Sequence, residues 1–243
     1  MLLRFKYKIK YQDLDHNRTL KPSKLEEYLL DTAGDAAKIL GIGYHVLLAR
    51  DMAWVLIRLT IDMHRMPGLE DEMIVETFVS SFSHGLSARY FRLLLVNEKG
   101  EEEEIGTAGS MWAVINLKTR QMESIFEEEL FKSIELHEPL KISVGRIRPE
   151  SQTTGMREHE IVYSDIDYNR HCNSCKYLDM MLNAYSDLYT GMQPLRVSLN
   201  YIHELYEGEV ADVEYTLKDK SVQYTIRRHT DHSIAVMGEL SVG

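Results

Sequence analysis

The chain is short of cysteine, of long apolar runs and of positive charge, and each shortage closes off a class of function. Two cysteines in 243 residues cannot form a disulfide framework, which agrees with a reducing compartment. No stretch approaches the roughly 18 to 20 consecutive apolar residues of a membrane-spanning helix. The opening MLLRFKYKIKYQD lacks a long apolar core followed by a cleavage site, so a cytoplasmic home is expected. Lys and Arg number 28 against 38 Asp and Glu, and the net charge of -10 disfavours general nucleic-acid binding. An acidic partner would have to dock on a local basic patch. What the chain does have is 44% apolar residues, ample for a packed core in one large domain or in two of about 120 residues.

The organising feature is a repeat. Residues 11 to 33, YQDLDHNRTLKPSKLEEYLLDTA, and residues 163 to 185, YSDIDYNRHCNSCKYLDMMLNAY, carry Tyr, Asp, Asp, Asn and Arg in the same order and spacing. An offset of 152 pairs Tyr11 with Tyr163, Asp13 with Asp165, Asp15 with Asp167, Asn17 with Asn169, Arg18 with Arg170 and Lys24 with Lys176. Opposite Thr19 the second copy has His171. Repeated segments mark repeated structural units, and the same order of elements follows each copy.

In the first half Pro22 suits a first helical turn, and Leu25, Tyr28, Leu29, Thr32, Ala33, Ala36 and Leu40 recur at helical spacing up to Gly41 and Gly43. Strand-like runs follow at 53–66, 73–82, 88–96 and 106–117, with NEKG as a turn. In the second half Asn173 or Ser174 can cap a helix whose stripe is Cys175, Leu178, Met181, Leu182, Tyr185 and Leu188. Alternating strands around Leu199, Val213, Tyr224 and Val236 come after it. Each half thus reads as one strand, one helix and four strands. The expected divisions are 1–126, a linker at 127–157 with a short helix at FEEELFKSIEL, and 158–243. A lone helix followed by an antiparallel meander must bury its stripe against the sheet. The predicted fold is α+β, a tandem hotdog in which each sheet wraps a central helix.

The residues also carry a family resemblance. WVLIRLTIDMHRMP (54–67), SSFSHGLSARYFRL (80–93), GSMWAVINLKTRQM (109–122) and above all DIDYNRHCNSCKY (165–177) resemble the acyl-ACP thioesterases of plants and bacteria, which are double-hotdog hydrolases. The last segment is similar to the family's D-x-D-x-N-x-H-x-N-N-x-x-K-Y. Position by position, the resemblance implies catalytic roles for Asp167, Asn169 and His171, and LNYIHEL (199–205) aligns Glu204 with a catalytic Glu. The departures are Ser174 in place of an Asn and Leu205 in place of a Cys, which removes a cysteine nucleophile at that position. The implied activity is hydrolysis of fatty acyl-[acyl carrier protein] in fatty acid synthesis, with no cofactor and no metal.

Elementary chemistry agrees with this. A leaving thiol with a pKa of about 8.5 departs with little acid help, so hydrolysis needs an activated water and a stabilised carbonyl oxygen. Asp167 or Glu204 with His171 can supply the first, Asn169 can position water or substrate, and amides at the helix start can supply the second. For the first copy, turn and capping chemistry is the better account of Asp15 and Asn17. Glu204 by itself also fits a solvated charge at a strand end. The C-x-x-C pair Cys172 and Cys175 invites a redox or zinc reading, but only His171 stands near as a further ligand and position 175 lies on the apolar stripe.

Three functions remain: a thioesterase on acyl-ACP or acyl-CoA, a hotdog dehydratase or isomerase, and a non-catalytic acyl-binding module. With the chemistry in the second copy, the first half is free to hold the acyl chain, with Tyr28, Thr32, Ala36 and Trp54 expected to line its pocket. The acidic carrier protein is expected to dock on cations among Lys118, Arg120, Arg146, Arg148, Lys176, Arg227 and Arg228, and a homodimer is left open.

Overall fold

The computed structural model describes residues 1–243 apart from 84, 127, 192 and 193. Each half starts with a strand, β1 (Leu3–Lys8) or β7 (Gly155–Glu160), that breaks into a one-turn 3-10 helix at Tyr11–Asp13 or Tyr163–Asp165. After the Asp-rich loop comes the central helix, α1 (Pro22–Ile39) or α4 (Ser174–Ala184). Pro22 sits in the first turn of α1, where its missing N–H costs nothing. The helix stops at Gly41, whose φ of 76° is readily adopted by glycine.

The first half continues with α2 (Tyr44–Leu48), β2 (Met52–Met63), β3 (Glu72–Ser83), β4 (Leu86–Val96), β5 (Glu102–Asn116) and the short β6 (Met122–Glu123). The second continues with β8 (Leu195–Tyr201), β9 (Val210–Leu217), β10 (Ser221–Arg228) and β11 (Ile234–Val242). Between them stand α3 (Glu129–Lys132) and a segment at 133–154 without helix or strand. That segment is strapped to the sheet: Asn200 Oδ1 accepts the Ile147 N–H at 2.8 Å and Gln223 Nε2 donates to the Arg148 carbonyl at 2.6 Å.

All the strands belong to one antiparallel sheet in the order β1-β3-β4-β5-β2-β8-β11-β10-β9-β7, with β6 on β5. Read inward from either edge, both halves give the same sequence of strands, so the tandem hotdog is a single sheet with an internal pseudo-twofold at the β2–β8 seam. There Arg58 faces Asn200 and Met63 faces Leu195. The core is continuous across the seam, from Leu29, Phe91 and Ile61 to Leu178, Leu199 and Tyr224. Burying each such side chain stabilises the fold by about 1.5–3 kcal/mol.

One detail departs from the sequence reading. The second helix ends at Ala184 rather than running on to Leu188, because Tyr185 turns extended, stacks on Tyr215 at 5.2 Å and accepts the Tyr224 hydroxyl at 2.6 Å. The exposed acidic run at 101–104 lies at the start of β5, where Glu102, Glu103 and Glu104 face Arg4, Arg65 and Arg92.

Candidate active site

The two Asp-rich segments fold into one and the same loop. In the first, Asp15 Oδ1 accepts the N–H of Asn17 at 2.8 Å and of Thr19 at 3.4 Å, while the Asp15 N–H donates to the Thr19 carbonyl at 2.9 Å. In the second, Asp167 Oδ1 accepts the N–H of Asn169 at 2.8 Å and of His171 at 3.2 Å, and the Asp167 N–H donates to the His171 carbonyl at 2.8 Å. Arg18 and Arg170 take the same left-handed conformation, φ 64° and 67°. The aspartate before each loop is buried and closes the 3-10 turn: Asp13 accepts the Lys10 N–H and Asp165 the Val162 N–H. The D-x-D pattern is therefore architecture in both copies.

The histidine differentiates them. The Cys172 N–H donates to the Leu205 carbonyl at 2.8 Å, which lays the second loop against the segment after β8. Their neighbours meet as a consequence, with His171 Nδ1 3.3 Å from Glu204 Oε1. The other carboxylate oxygen, Oε2, is held by the Arg120 guanidinium and by the Tyr206 hydroxyl at 3.3 Å. Tyr206 also sets its ring edge-on to the imidazole, 5.2 Å away at 86°. Arg120 comes from the β5–β6 turn of the first half, so both halves build the site. Asp167 spends Oδ1 on the loop backbone, and Asn169 Nδ2 lies 3.4 Å from its Oδ2. The carboxylate at the imidazole is Glu204.

These groups open on a cleft of about 1260 Å³ that Asp167, Asn169, His171 and Glu204 line together with Trp54. The exposed rings of Tyr44 and Tyr168, one from each half, meet edge to face at 5.7 Å along it. Its walls continue over Ala33, Gly34 and Ala37 of α1, Leu56 of β2, Ser87 and Arg89 of β4 and Trp112 of β5. Tyr28, Thr32 and Ala36, expected on this wall, are not part of it. They lie on the stripe of α1 that is packed shut against the sheet, where Thr32 and Ala36 have no exposure. Thr32 instead bonds the Tyr7 hydroxyl at 2.8 Å, and it is Tyr7 that reaches the cleft.

The amides near the start of α4 are mostly spoken for. Those of His171, Cys172, Asn173, Cys175 and Lys176 donate to Asp167 Oδ1, Leu205 O, Asp165 O, Asn173 Oδ1 and Asn173 O. Among the described residues no acceptor is offered to the N–H of Ser174, the first helical residue and a cleft residue. Cys172 and Cys175 are free and buried, and burial pushes the Cys172 thiol up to about 12 and that of Cys175 higher still. Neither is prepared as a thiolate. The ligand atoms of Glu158, Asp212 and His229 lie within 4.8 Å of one another, outside the cleft, but His229 Nδ1 and Asp212 Oδ1 are already paired at 2.8 Å.

Of the residues expected from the sequence, His171, Asp167, Asn169 and Glu204 share this cleft; Tyr206 has no role in the sequence reading, and Arg120 enters it only as a docking cation. An aromatic two residues past Glu204 and an arginine in a distant turn carry no spacing signal that links them to the imidazole.

The family described as acyl-ACP thioesterase N-terminal domain matches residues 2–134, and its C-terminal domain matches residues 148–241. An acyl-ACP thioesterase from Bacteroides thetaiotaomicron superposes with a TM-score of 0.87 at 25% identity, over 100% of this chain and 98% of that one. The 12:0-ACP thioesterase from Umbellularia californica superposes with a TM-score of 0.85 at 18% identity, over 100% and 97% of the two chains, a likeness of fold. The chloroplastic palmitoyl-acyl carrier protein thioesterase of Cuphea hookeriana is 25% identical over 199 residues, 76% of this chain and 47% of its own length. The chain spans about half the length of the curated plant relatives it matches first, 47% to 52% of each.

Proposed function

The chain belongs to the acyl-ACP thioesterase family, and from that premise we propose that it hydrolyses the thioester of a fatty acyl group on acyl carrier protein, releasing the fatty acid and the carrier's thiol. The observation that carries this reading is the His171–Glu204 pair on a deep cleft with mainly apolar walls. With Nδ1–H given to Glu204, the imidazole offers Nε2 as a base. Water attacks the carbonyl carbon as its proton passes to Nε2. The tetrahedral oxyanion is met by the Ser174 N–H at the positive end of α4. The C–S bond then breaks, and the proton on Nε2 is available to the departing sulfur. Glu204 orients the imidazole and stabilises its protonated form, Arg120 and Tyr206 hold Glu204 in place, and Asp167 with Asn169 shapes the loop that presents the ring.

The first half then serves as the acyl-chain pocket and the second as the catalytic half, meeting at the seam inside one chain, so a homodimer is not needed to complete the cleft. Ala33 lines the cleft whereas Ala36 is packed away from it. Ala33→Leu is accordingly expected to shift preference toward shorter chains in a competition assay with mixed acyl lengths. Ala36→Phe is expected to lower stability by about 1–3 kcal/mol through overpacking. A chain-length shift in the second variant and none in the first would overturn this placement of the pocket.

The carrier is proposed to be acyl carrier protein rather than coenzyme A, in the reducing cytoplasm that suits two free thiols. Of the cations first considered for docking, Lys118, Arg120, Lys176, Arg227 and Arg228 each face a carboxylate. Among the described residues Arg146 and Arg148 face none, and Lys38 on the cleft is likewise exposed and without a carboxylate. Release of free thiol from acyl-ACP and from a short acyl thioester tests the function and the carrier together. Turnover is expected on both, falling more steeply with added salt for acyl-ACP because two acidic proteins must meet through local cations. Absence of thiol release overturns the hydrolase; equal salt dependence overturns the electrostatic dock.

A further inference from the structure

Arg89 is a buried cation with no counter-ion among the described residues. It stands on β4 at 5% exposure, and its guanidinium makes one hydrogen bond within the described protein, from Nη1 to Thr77 Oγ1 at 3.1 Å. Among the described residues no carboxylate pairs with it. Burial draws its pKa down to about 10, which still leaves it charged at neutral pH. Arginine is almost never buried unless paired, and a guanidinium can only donate.

Its neighbours do not meet that demand. The Thr77 hydroxyl is itself given to the Tyr90 carbonyl at 3.0 Å, and the Ser110 hydroxyl bonds the Arg89 carbonyl while accepting from Trp112 Nε1 at 2.8 Å. Arg89 and Ser87, two residues apart and therefore on the same face of the strand, both line the cleft. Ser87 is 4% exposed, and its hydroxyl takes no partner among the described residues. In the strand register Trp112 stands opposite Ser87 and Leu56 opposite Trp112, and Ala33 and Ala37 line the same cleft. A plain hydrocarbon chain lying here would leave desolvated donors unmet, which is costly.

We infer that this end of the cleft is built for an acyl chain that carries an acceptor oxygen, a hydroxyl or a carboxylate, on its distal part, with Arg89 and Ser87 as the groups that bind it. The inference rests on the reading of the cleft as an acyl-chain pocket. The strands β8, β2, β5 and β4 lie side by side, so Arg89 is three strand spacings, about 15 Å along the sheet, from the strand that leads to Glu204. The recognised oxygen is thus remote from the thioester carbonyl and does not belong to the reacting end of the chain.

The test compares three thioesters of one chain length, ending in a methyl, a hydroxyl or a carboxylate, with wild type, Arg89→Met and Arg89→Lys, and measures calorimetric binding of the three corresponding acids. Wild type is expected to favour an oxygenated chain by about ten- to hundred-fold in kcat/KM, the worth of a hydrogen bond to a charged group. Arg89→Met is expected to bring the ratio to about one or below, with the plain chain turned over faster than by wild type, and Arg89→Lys to keep part of the preference. The hydroxyl and carboxylate arms tell which oxygen is preferred. A wild-type preference for the plain chain overturns the inference even if Arg89→Met does not fold, and so does a preference for oxygen that Arg89→Met leaves unchanged. No turnover of any thioester, combined with Arg89-dependent binding of an oxygenated acid, would overturn the hydrolase and leave this site standing.

Discussion

His171→Ala is expected to lower acyl-thioester turnover by about 10² to 10⁴, the contribution typical of a positioned acid-base group, while the protein melts close to the wild-type temperature. The imidazole is a quarter exposed and contributes nothing to the backbone pairing of its loop, which runs through Asp167 and the Cys172–Leu205 bond. Glu204→Gln is expected to act in the same direction, because a neutral amide at 3.3 Å no longer stabilises the charged ring. The repeat supplies a control inside the same chain. Thr19 occupies the position of His171 in a loop with the same bonds, so Thr19→Ala is expected to leave the rate per folded molecule nearly unchanged, and Asp15→Asn to cost about a kcal/mol of stability. Turnover and melting temperature measured for all four variants decide the matter. If Asp15→Asn or Thr19→Ala removes activity as thoroughly as His171→Ala, the first loop is a working site and the division of labour between the halves is wrong.

Glu26→Gln is expected to stabilise the protein by about 3 kcal/mol above neutral pH. Glu26 is fully buried on α1, and burial is the chief cause that raises its pKa from 4.5 to about 7. Tyr201 donates to Oε1 at 2.5 Å and with the Ser174 hydroxyl partly offsets the rise, Asp179 on α4 adds to it by charge, and among the described residues Oε2 has no partner at full hydrogen-bond geometry. A carboxyl whose folded-state pKa lies above its unfolded one favours folding most below the unfolded value and loses that contribution as pH climbs through the folded value. Wild-type stability is therefore expected to fall between about pH 4.5 and pH 7 relative to Glu26→Gln. The glutamine keeps an acceptor for Tyr201 without a charge to bury. Denaturant titrations of both proteins at a series of pH values read this difference directly, and a constant gap across that range would sink the assignment.

Much of this protein was legible in its sequence because the information is local. Helical stripes, strand alternation and the Asp-rich turns are set by which residues lie next to one another along the chain, and two copies of a local pattern fold into two copies of a loop. The single histidine told the copies apart for the same reason. The chain by itself therefore determined the tandem hotdog and the place of the loop that carries His171 to the cleft.

Tertiary structure decided what depends on residues distant in sequence. Helical periodicity located the stripe that carries Tyr28, Thr32 and Ala36, but a stripe packed on a sheet is filled by that packing, and the cleft opens beside it along Ala33, Gly34 and Ala37. The choice between Asp167 and Glu204 at the imidazole turned on one backbone bond, Cys172 to Leu205, which no spacing encodes. Arg120 reaches Glu204 only because the β2–β8 seam joins the two halves into one sheet. Arg89 looks like any strand arginine until the fold buries it in the wall of the cleft, with no carboxylate paired to it among the described residues.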